Sequence, residues 1–244
     1  MKVGLLQRVT LAGCVVLLSA LFAGSSVFAG DLDHIRAAIK EKGARWEAGE
    51  TSMSVLPEKE RKLRLGHVKP RLTGKEPVLA EGATGSGGAA AAYVSFDWTN
   101  NATKNYVTPV RNQGSCGSCW AFAVAGALES YTLIKNNLVG LDVNISEQVL
   151  VSCSGAGSCG GGYIGSASNY VRDKGLPQEG CFPYTATNNV CGSACNTYQS
   201  DTYRIQSWAY VATTSVSVEA IKNALVTYGP LVTTMDVYGD FFSY

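Results

Sequence analysis

The stretch that decides the fold lies at residues 113–122 and reads Q-G-S-C-G-S-C-W-A-F. The alanine-rich sequence that follows is apolar on nearly every face of a helix as far as Ile134. A helix that is apolar all round is buried in the core of a protein. Because Ser118 suits the N-cap position, we predict a buried helix that begins at Cys119. The unpaired N–H groups and the dipole of its first turn favour a thiolate at that residue.

The N-terminal residues have the features of an export signal. Lys2 and Arg8 precede an apolar run, and small residues precede a cleavage point after Ala29. The run is too short for a stable membrane span. We therefore predict a signal peptide at 1–29 and a protein secreted to the extracellular space or the periplasm. An alternative is a lipid-anchored form attached through Cys14, which ends a Leu-Ala-Gly-Cys box.

Composition excludes several classes of protein. Hydrophobic residues make up 46% of the 244 and charged residues 16%, which is enough apolar material for a core and too little charge for a disordered chain. The net charge of +1 leads us to expect no nucleic-acid partner. Basic residues outnumber acidic ones up to Ala92, and the reverse holds from Tyr93 onward. This asymmetry suggests that the first part of the chain docks on the second.

The cysteine count indicates one special thiol. Removal of Cys14 with the signal leaves an odd number, and in an oxidising compartment an even set pairs while one thiol remains as an intermolecular bridge or a reactive group. A zinc site at Cys116 and Cys119 is a weak alternative, because no histidine follows His67. We expect no metal and no cofactor.

The region at 30–92 is typical of a propeptide that ends in a Gly/Ala linker. Apolar residues recur at helical spacing from Leu32 to Ile39, and 58–65 suggests a second, charged helix. The linker at 81–92 has a flexible composition that suits proteolytic cleavage. His34 and His67 are predicted to be solvated surface side chains.

Residues 113–122 resemble the active-site signature of the papain-like cysteine peptidases. Segments at 146–153, 159–163 and 182–184 agree with that family in order and spacing, so the resemblance covers 93–244. It implies an α+β, two-domain papain-like fold, with a helical nucleophile domain and a β-barrel domain. The implied function is that of a secreted cysteine endopeptidase precursor, which hydrolyses peptides or proteins through an acyl-enzyme.

The resemblance also assigns roles to particular residues. Cys119 would be the nucleophile, and Gln113 would donate a side-chain N–H to the oxyanion. The implied substrate-binding residues are Gly161 and Gly162, on the strand that pairs with the substrate backbone, and Tyr163, Ile164 and Thr234, around the pocket for the second residue upstream of the scissile bond. The implied disulfides are Cys116–Cys159, Cys153–Cys191 and Cys181–Cys195.

The segment at 38–49 is similar to the short propeptides of cathepsin B-like enzymes. In those propeptides a Trp-x-Ala-Gly element, here Trp46 to Gly49, packs on the active-site cleft. The resemblance therefore implies that the chain's own propeptide is an inhibitor. The alternative interpretation is an amphipathic helix that leads into a spacer.

The catalytic base is missing from the sequence. The family supplies a histidine, oriented by an asparagine, about 130–150 residues after the cysteine, and the last residue here is Tyr244. We therefore expect a peptidase domain at 93–244 that is C-terminally incomplete, a β-barrel domain that is largely missing, and a chain that is inactive as given. A non-catalytic binding protein on a papain scaffold and a thiol–disulfide oxidoreductase that uses Cys116 and Cys119 remain as alternatives.

Overall fold

A computed structural model describes residues 23–79 and 95–244, with side chains described from residue 31 onward. The chain divides into two compact units. One comprises the described part of Met1–Glu58 together with Asp236–Tyr244, and the other is Lys59–Met235. Most of the predicted signal peptide, including Cys14, and all of the predicted linker at 81–92 lie outside the described residues. Across the described ranges, no helix combines the length and the apolar character that a membrane crossing requires.

The first unit contains the helix α1 (Ala23–Glu41) and a 3₁₀ helix at Gly239–Ser243. The Trp46 ring lies 5.4 Å from the Tyr244 ring, and the N–H of Gly49 donates to the carbonyl of Ser243 at 2.9 Å. The predicted element from Trp46 to Gly49 therefore packs against the last residues of the chain. The cleavage point after Ala29 falls within α1 and stays a prediction.

The central helix of the second unit is α3 (Cys119–Asn136), which follows the short helix α2 (Glu58–Lys62) in the chain. The predicted buried helix that begins at Cys119 is confirmed. Trp120 and Leu133 on this helix are almost fully buried. The helix ends at Asn137, which adopts the left-handed conformation at φ 50°, a common way for a helix to terminate.

Two further helices pack on α3 and close the core. They are α4 (Glu147–Cys153) and α5 (Ile164–Asp173). The hydroxyl of Ser146 caps α4 by accepting from the N–H of Val149 at 3.3 Å, and it donates to the carbonyl of Phe182 at 2.6 Å. The shared core comprises Trp120, Ala121, Val124, Leu128, Ile145, Val149, Leu150, Val151, Ala156, Ala167, Val171, Leu176 and Phe182.

Strands are few in the described part of the chain. The antiparallel pair β1 (Gly157–Ser158) and β2 (Gly161–Gly162) is the one sheet there, accompanied by isolated bridges. The helix α6 (Val218–Tyr228) is capped by Ser217, whose hydroxyl accepts from the N–H of Ala220 at 3.0 Å. The predicted α+β class is confirmed, and the described residues form no β-barrel.

Three disulfides tie the second unit together. They are Cys116–Cys159, Cys153–Cys191 and Cys181–Cys195, the pairs that the resemblance implies. Among the described residues Cys119 is the free cysteine.

Removing a disulfide should cost more stability the longer the loop that it closes. Replacing Cys116 and Cys159 together by alanine should lower the free energy of unfolding by about 4 kcal/mol, because this bridge closes a sequence separation of 43 residues. Replacing Cys181 and Cys195, which are separated by 14 residues, should cost about 3 kcal/mol. Urea unfolding measures both losses. Peptide mapping that found Cys116 bonded to Cys119 would contradict the pairing.

Candidate active site

Cys119 is held at the start of α3 by the residues just before it. The N–H of Gly117 donates to the carbonyl of Cys159 at 2.8 Å, and the disulfide joins Cys116 to the same residue. The Cys119 side chain is half-buried. These contacts fix the free thiol beside the β1–β2 hairpin.

Ser118 occupies the predicted N-cap position, but its side chain does not cap the helix. The Ser118 hydroxyl lies 2.6 Å from the hydroxyl of Tyr184, which also donates to the carbonyl of Gln113 at 2.8 Å. The predicted N-cap position is therefore confirmed, but it lacks the side-chain hydrogen bond that usually accompanies it. The Ser118 backbone lies at φ −101° and ψ 12°, and the N–H of Ala121 donates to the Ser118 carbonyl at 2.8 Å.

The side-chain amide of Gln113 lies at the same site. Its Nε2 donates to the carbonyl of Cys116 at 2.7 Å and to the carbonyl of Arg64 at 2.8 Å. The first bond fixes the amide against the loop that carries the cysteine. The second bond places the backbone carbonyl of Arg64 against the Gln113 N–H, a donor that can polarise a carbonyl group.

The two glycines of β2 border this site. Gly162 donates its N–H to the carbonyl of Gly66 at 2.8 Å and accepts from the N–H of Val68 at 3.0 Å, in a parallel bridge centred on His67. A Cβ on Gly162 would overlap the indole of Trp120. Glycine is required here because the strand lies directly on a buried ring.

Sequence reasoning missed the segment at 64–68 as a contributor to the site. The N–H of Gly66 donates to the Sγ of Cys119 at 3.3 Å. A Cβ on Gly66 would overlap the carbonyl of Gly117. Arg64 also reaches the loop before the cysteine, with its Nη2 3.3 Å from the hydroxyl of Ser115. No local sequence motif predicts these contacts, because they join residues about fifty positions apart.

His67 is not the solvated side chain that the sequence predicts. Its Nδ1 is buried and makes no hydrogen bond to any described residue. Burial and the neighbouring charge of Lys69 lower the pKa of His67. Protonation of the imidazole is therefore disfavoured where the segment pairs with Gly162. His34 is exposed, as predicted.

The three residues predicted to form the specificity pocket are dispersed in the structure. Ile164 lines a cavity of about 350 Å³ between α3, α5 and the chain around Pro230, whereas Tyr163 lines another of about 340 Å³ beside Trp208. Thr234 is exposed and lines neither. A shared pocket for these residues stays a prediction.

A comparison with known families assigns the chain to one of them. The model of the papain family cysteine proteases matches residues 93–244. The chain belongs to this family. The predicted family and its papain-like fold class are thus confirmed.

Several papain-family proteins are similar to the chain. Digestive cysteine proteinase 1 of Homarus americanus is 37% identical over 153 residues, which cover 61% of this chain and 44% of that protein. Cathepsin L2 of Homo sapiens is 37% identical over 146 residues, covering 58% and 40%. The chain therefore spans less than half the length of these curated relatives.

Two solved structures share the fold. The digestive procathepsin L2 proteinase from Tenebrio molitor larval midgut has a TM-score of 0.61 at 27% identity, over 80% of this chain and 62% of that one. The proCathepsin B S9 from Trypanosoma congolense has a TM-score of 0.68, over 88% and 74%. At 24% identity the second likeness concerns the fold alone.

In this papain-family chain the side chains of Glu129 and Glu147 are buried, and that of Glu179 is half-buried. Glu129 accepts from the N–H of Ile145 at 2.9 Å, and Glu179 accepts from the N–H of Tyr184 at 2.6 Å. Burial raises the pKa of both, and it raises the pKa of Glu147 to about 8. The folded protein therefore binds protons that the unfolded chain releases above its ordinary glutamate pKa of about 4.3.

This proton binding should make the fold more stable in acid. As pH rises from about 5 to 8, the unfolded state loses the Glu147 proton first, so the free energy of unfolding should fall. We expect Glu147→Gln to remove on the order of 2 kcal/mol of that fall. Urea unfolding at pH 5.5 and 8.0 measures it, with exposed Glu219→Gln as the matched control. An unchanged slope in Glu147→Gln would contradict this assignment.

Proposed function

We propose that the chain is the precursor of a cysteine peptidase, with Cys119 as nucleophile and Gln113 as oxyanion donor. The observation that carries the proposal is the Gln113 amide, which is fixed at the Cys119 loop and bound to a backbone carbonyl at 2.8 Å. In the proposed reaction the Cys119 thiolate attacks the substrate carbonyl carbon and forms a C–S bond. The carbonyl π electrons move to the oxygen, where the Gln113 N–H stabilises the charge. Collapse of this intermediate expels the amine and leaves an acyl-enzyme.

The leaving amine needs a proton, and a water molecule must be activated to release the acyl group. The sequence contains only two histidines, His34 and His67, and both precede the cysteine. We infer that these 244 residues supply the nucleophile and an oxyanion donor without the general base, and so do not hydrolyse peptides by themselves.

The disulfide pattern favours this function over thiol–disulfide exchange. Cys116 is bonded to Cys159, so Cys119 has no adjacent cysteine with which to form an exchangeable pair. Insulin reduction by the chain would favour the oxidoreductase. A non-catalytic binding protein would bind peptides without forming a covalent adduct at Cys119.

We further infer that residues 64–68 are the inhibitory part of the propeptide. Three contacts support this role: Gly66 on the Cys119 sulfur, Arg64 on the Gln113 amide, and the pairing of 66–68 with Gly162. The segment uses the donors and acceptors that a peptide substrate would need. Inhibition then results from occupation of the site.

We propose that the protein is exported and acts on peptides or proteins. The three disulfides support an oxidising compartment. Cleavage after Ala29 and the alternative lipid anchor at Cys14 stay predictions.

A peptide aldehyde tests the nucleophile, the oxyanion donor and the inhibitory segment together. We expect a ¹³C-labelled N-acetyl dipeptide aldehyde to form a hemithioacetal at Cys119, seen by NMR and lost in Cys119→Ala. Gly66→Ala should bind it at least about tenfold more tightly than the unaltered chain, because the new Cβ overlaps Gly117 and displaces the segment. Adding Gln113→Ala should weaken binding by about 100-fold.

The matched control for this experiment is Gly126→Ala, whose Cβ meets no neighbouring atom. It should leave the affinity unchanged. The absence of a hemithioacetal in the Gly66→Ala chain would contradict the peptidase. Equal affinity of Gly66→Ala and the unaltered chain would contradict inhibition by 64–68.

Acid should loosen the inhibitory segment through His67. Because the docked imidazole has a lowered pKa, the released segment binds a proton more readily, and docking should weaken as pH falls through about 6.5. Hydrogen-exchange protection of the Val68 and Gly162 amides should fall severalfold between pH 7.5 and 5.5. The change should be absent in His67→Gln. The same pH-dependent loss in that variant would exclude His67 as its cause.

A further inference from the structure

The strand that borders the candidate active site has few means of holding itself in place. Both strands of its hairpin are two residues long, and β2 consists of Gly161 and Gly162 alone. A hairpin this short is marginally stable by itself, and glycine has no side chain with which to anchor a strand. The position of β2 therefore depends on contacts from outside the hairpin.

The turn between the two strands provides such contacts through Cys159. Its carbonyl accepts from the N–H of Gly117, and its sulfur is bonded to Cys116, so both of these contacts come from the loop before α3. The N–H of Cys159 instead donates to the side-chain oxygen of Asn188 at 2.7 Å. Asn188 thus satisfies the turn N–H that the loop before α3 leaves unpaired.

The segment that carries Asn188 is fixed to α4 on both sides of that residue. The fully buried Gln148 accepts from the N–H of Thr185 at 3.0 Å, and its Nε2 donates to the carbonyl of Thr187 at 2.9 Å. Beyond Asn188, a disulfide joins Cys191 to the last residue of α4. The Asn188 side chain therefore projects from a segment that the core holds in place.

The same segment also contacts the loop that carries the proposed oxyanion donor. The hydroxyl of Tyr184 donates to the carbonyl of Gln113 at 2.8 Å, and a Cβ on Gly114 would lie 3.0 Å from the Cβ of Ala186. Residues 184, 186 and 188 thus contact the two segments of the site, while the residues between them bind α4. One face of this short segment is directed to the site and the other to the core.

We propose that Asn188 is a positioning residue, which holds the Cys159 turn so that Gly162 stands in place to pair with an extended peptide. In the structure this pairing is made by residues 66–68. That a substrate would pair in the same way rests on the proposed function. The hydrogen bond from the turn to Asn188 does not.

Amide hydrogen exchange in the full chain at pH 7.5 tests the proposal. Asn188→Ala removes the acceptor, whereas Asn188→Asp keeps an oxygen at the same position. Asn189→Ala is the matched control, because the Asn189 side chain bonds to Thr185 and Thr187 within its own segment. The reporters are the N–H groups that make the pairing at β2. Since no substrate is added, the result is independent of whether the chain proves to be a peptidase.

Asn188→Ala should lower the protection of the Gly162 and Val68 amides about threefold to tenfold, which is the effect of losing one neutral hydrogen bond. Asn188→Asp should keep the protection of the unaltered chain, and so should Asn189→Ala. The Leu150 amide in α4 should be equally protected in all four chains, because Asn188 is exposed and lies outside the core.

Three outcomes would overturn the proposal. Unchanged protection of Gly162 and Val68 in Asn188→Ala would mean that the disulfide and the Gly117 hydrogen bond hold the turn without Asn188. An equal loss in Asn189→Ala would mean that the segment as a whole, and not the Asn188 oxygen, sets the strand. A loss in Asn188→Asp as large as in Asn188→Ala would exclude the acceptor oxygen as the cause.

Discussion

The site depends on the close approach of two backbone segments at Gly117 and Cys159. One hydrogen bond and one disulfide hold the loop before α3 against the hairpin that carries Gly161 and Gly162. Because both constraints act within three residues of Cys119, they leave the thiol little freedom to move away from the strand. The other contacts described at the site lie around this junction of Gly117 and Cys159.

The hydrophobic core extends up to this junction. Trp120 follows the cysteine directly, is almost fully buried, and supports the backbone of Gly162 on its indole. The packing of α4 and α5 against α3 therefore also holds the indole that supports this strand. A change of volume at Trp120 would alter the core and the strand at Gly161–Gly162 together.

The local sequence predicts part of this site and does not predict the rest. The odd cysteine, the apolar stretch after Cys119 and the ordered motifs predict the nucleophile helix, and the resemblance supplies the disulfide pairs. The direction of the Ser118 hydroxyl was not predictable, since its partner lies 66 residues away. Gly66 and His67 were missed for the same reason, because tight packing between distant segments leaves no periodic pattern.

The inhibitory segment and a substrate would compete for the same backbone groups. Gly162 uses its N–H on Gly66 and its carbonyl on Val68, while Gln113 uses a side-chain proton on Arg64. Under the proposed function, a substrate would meet these same groups once the segment leaves. What releases the site must then weaken the segment itself. The two features that make it vulnerable are the Gly66 backbone, which tolerates no side chain, and the half-buried His67, whose pKa is lowered by burial and by Lys69.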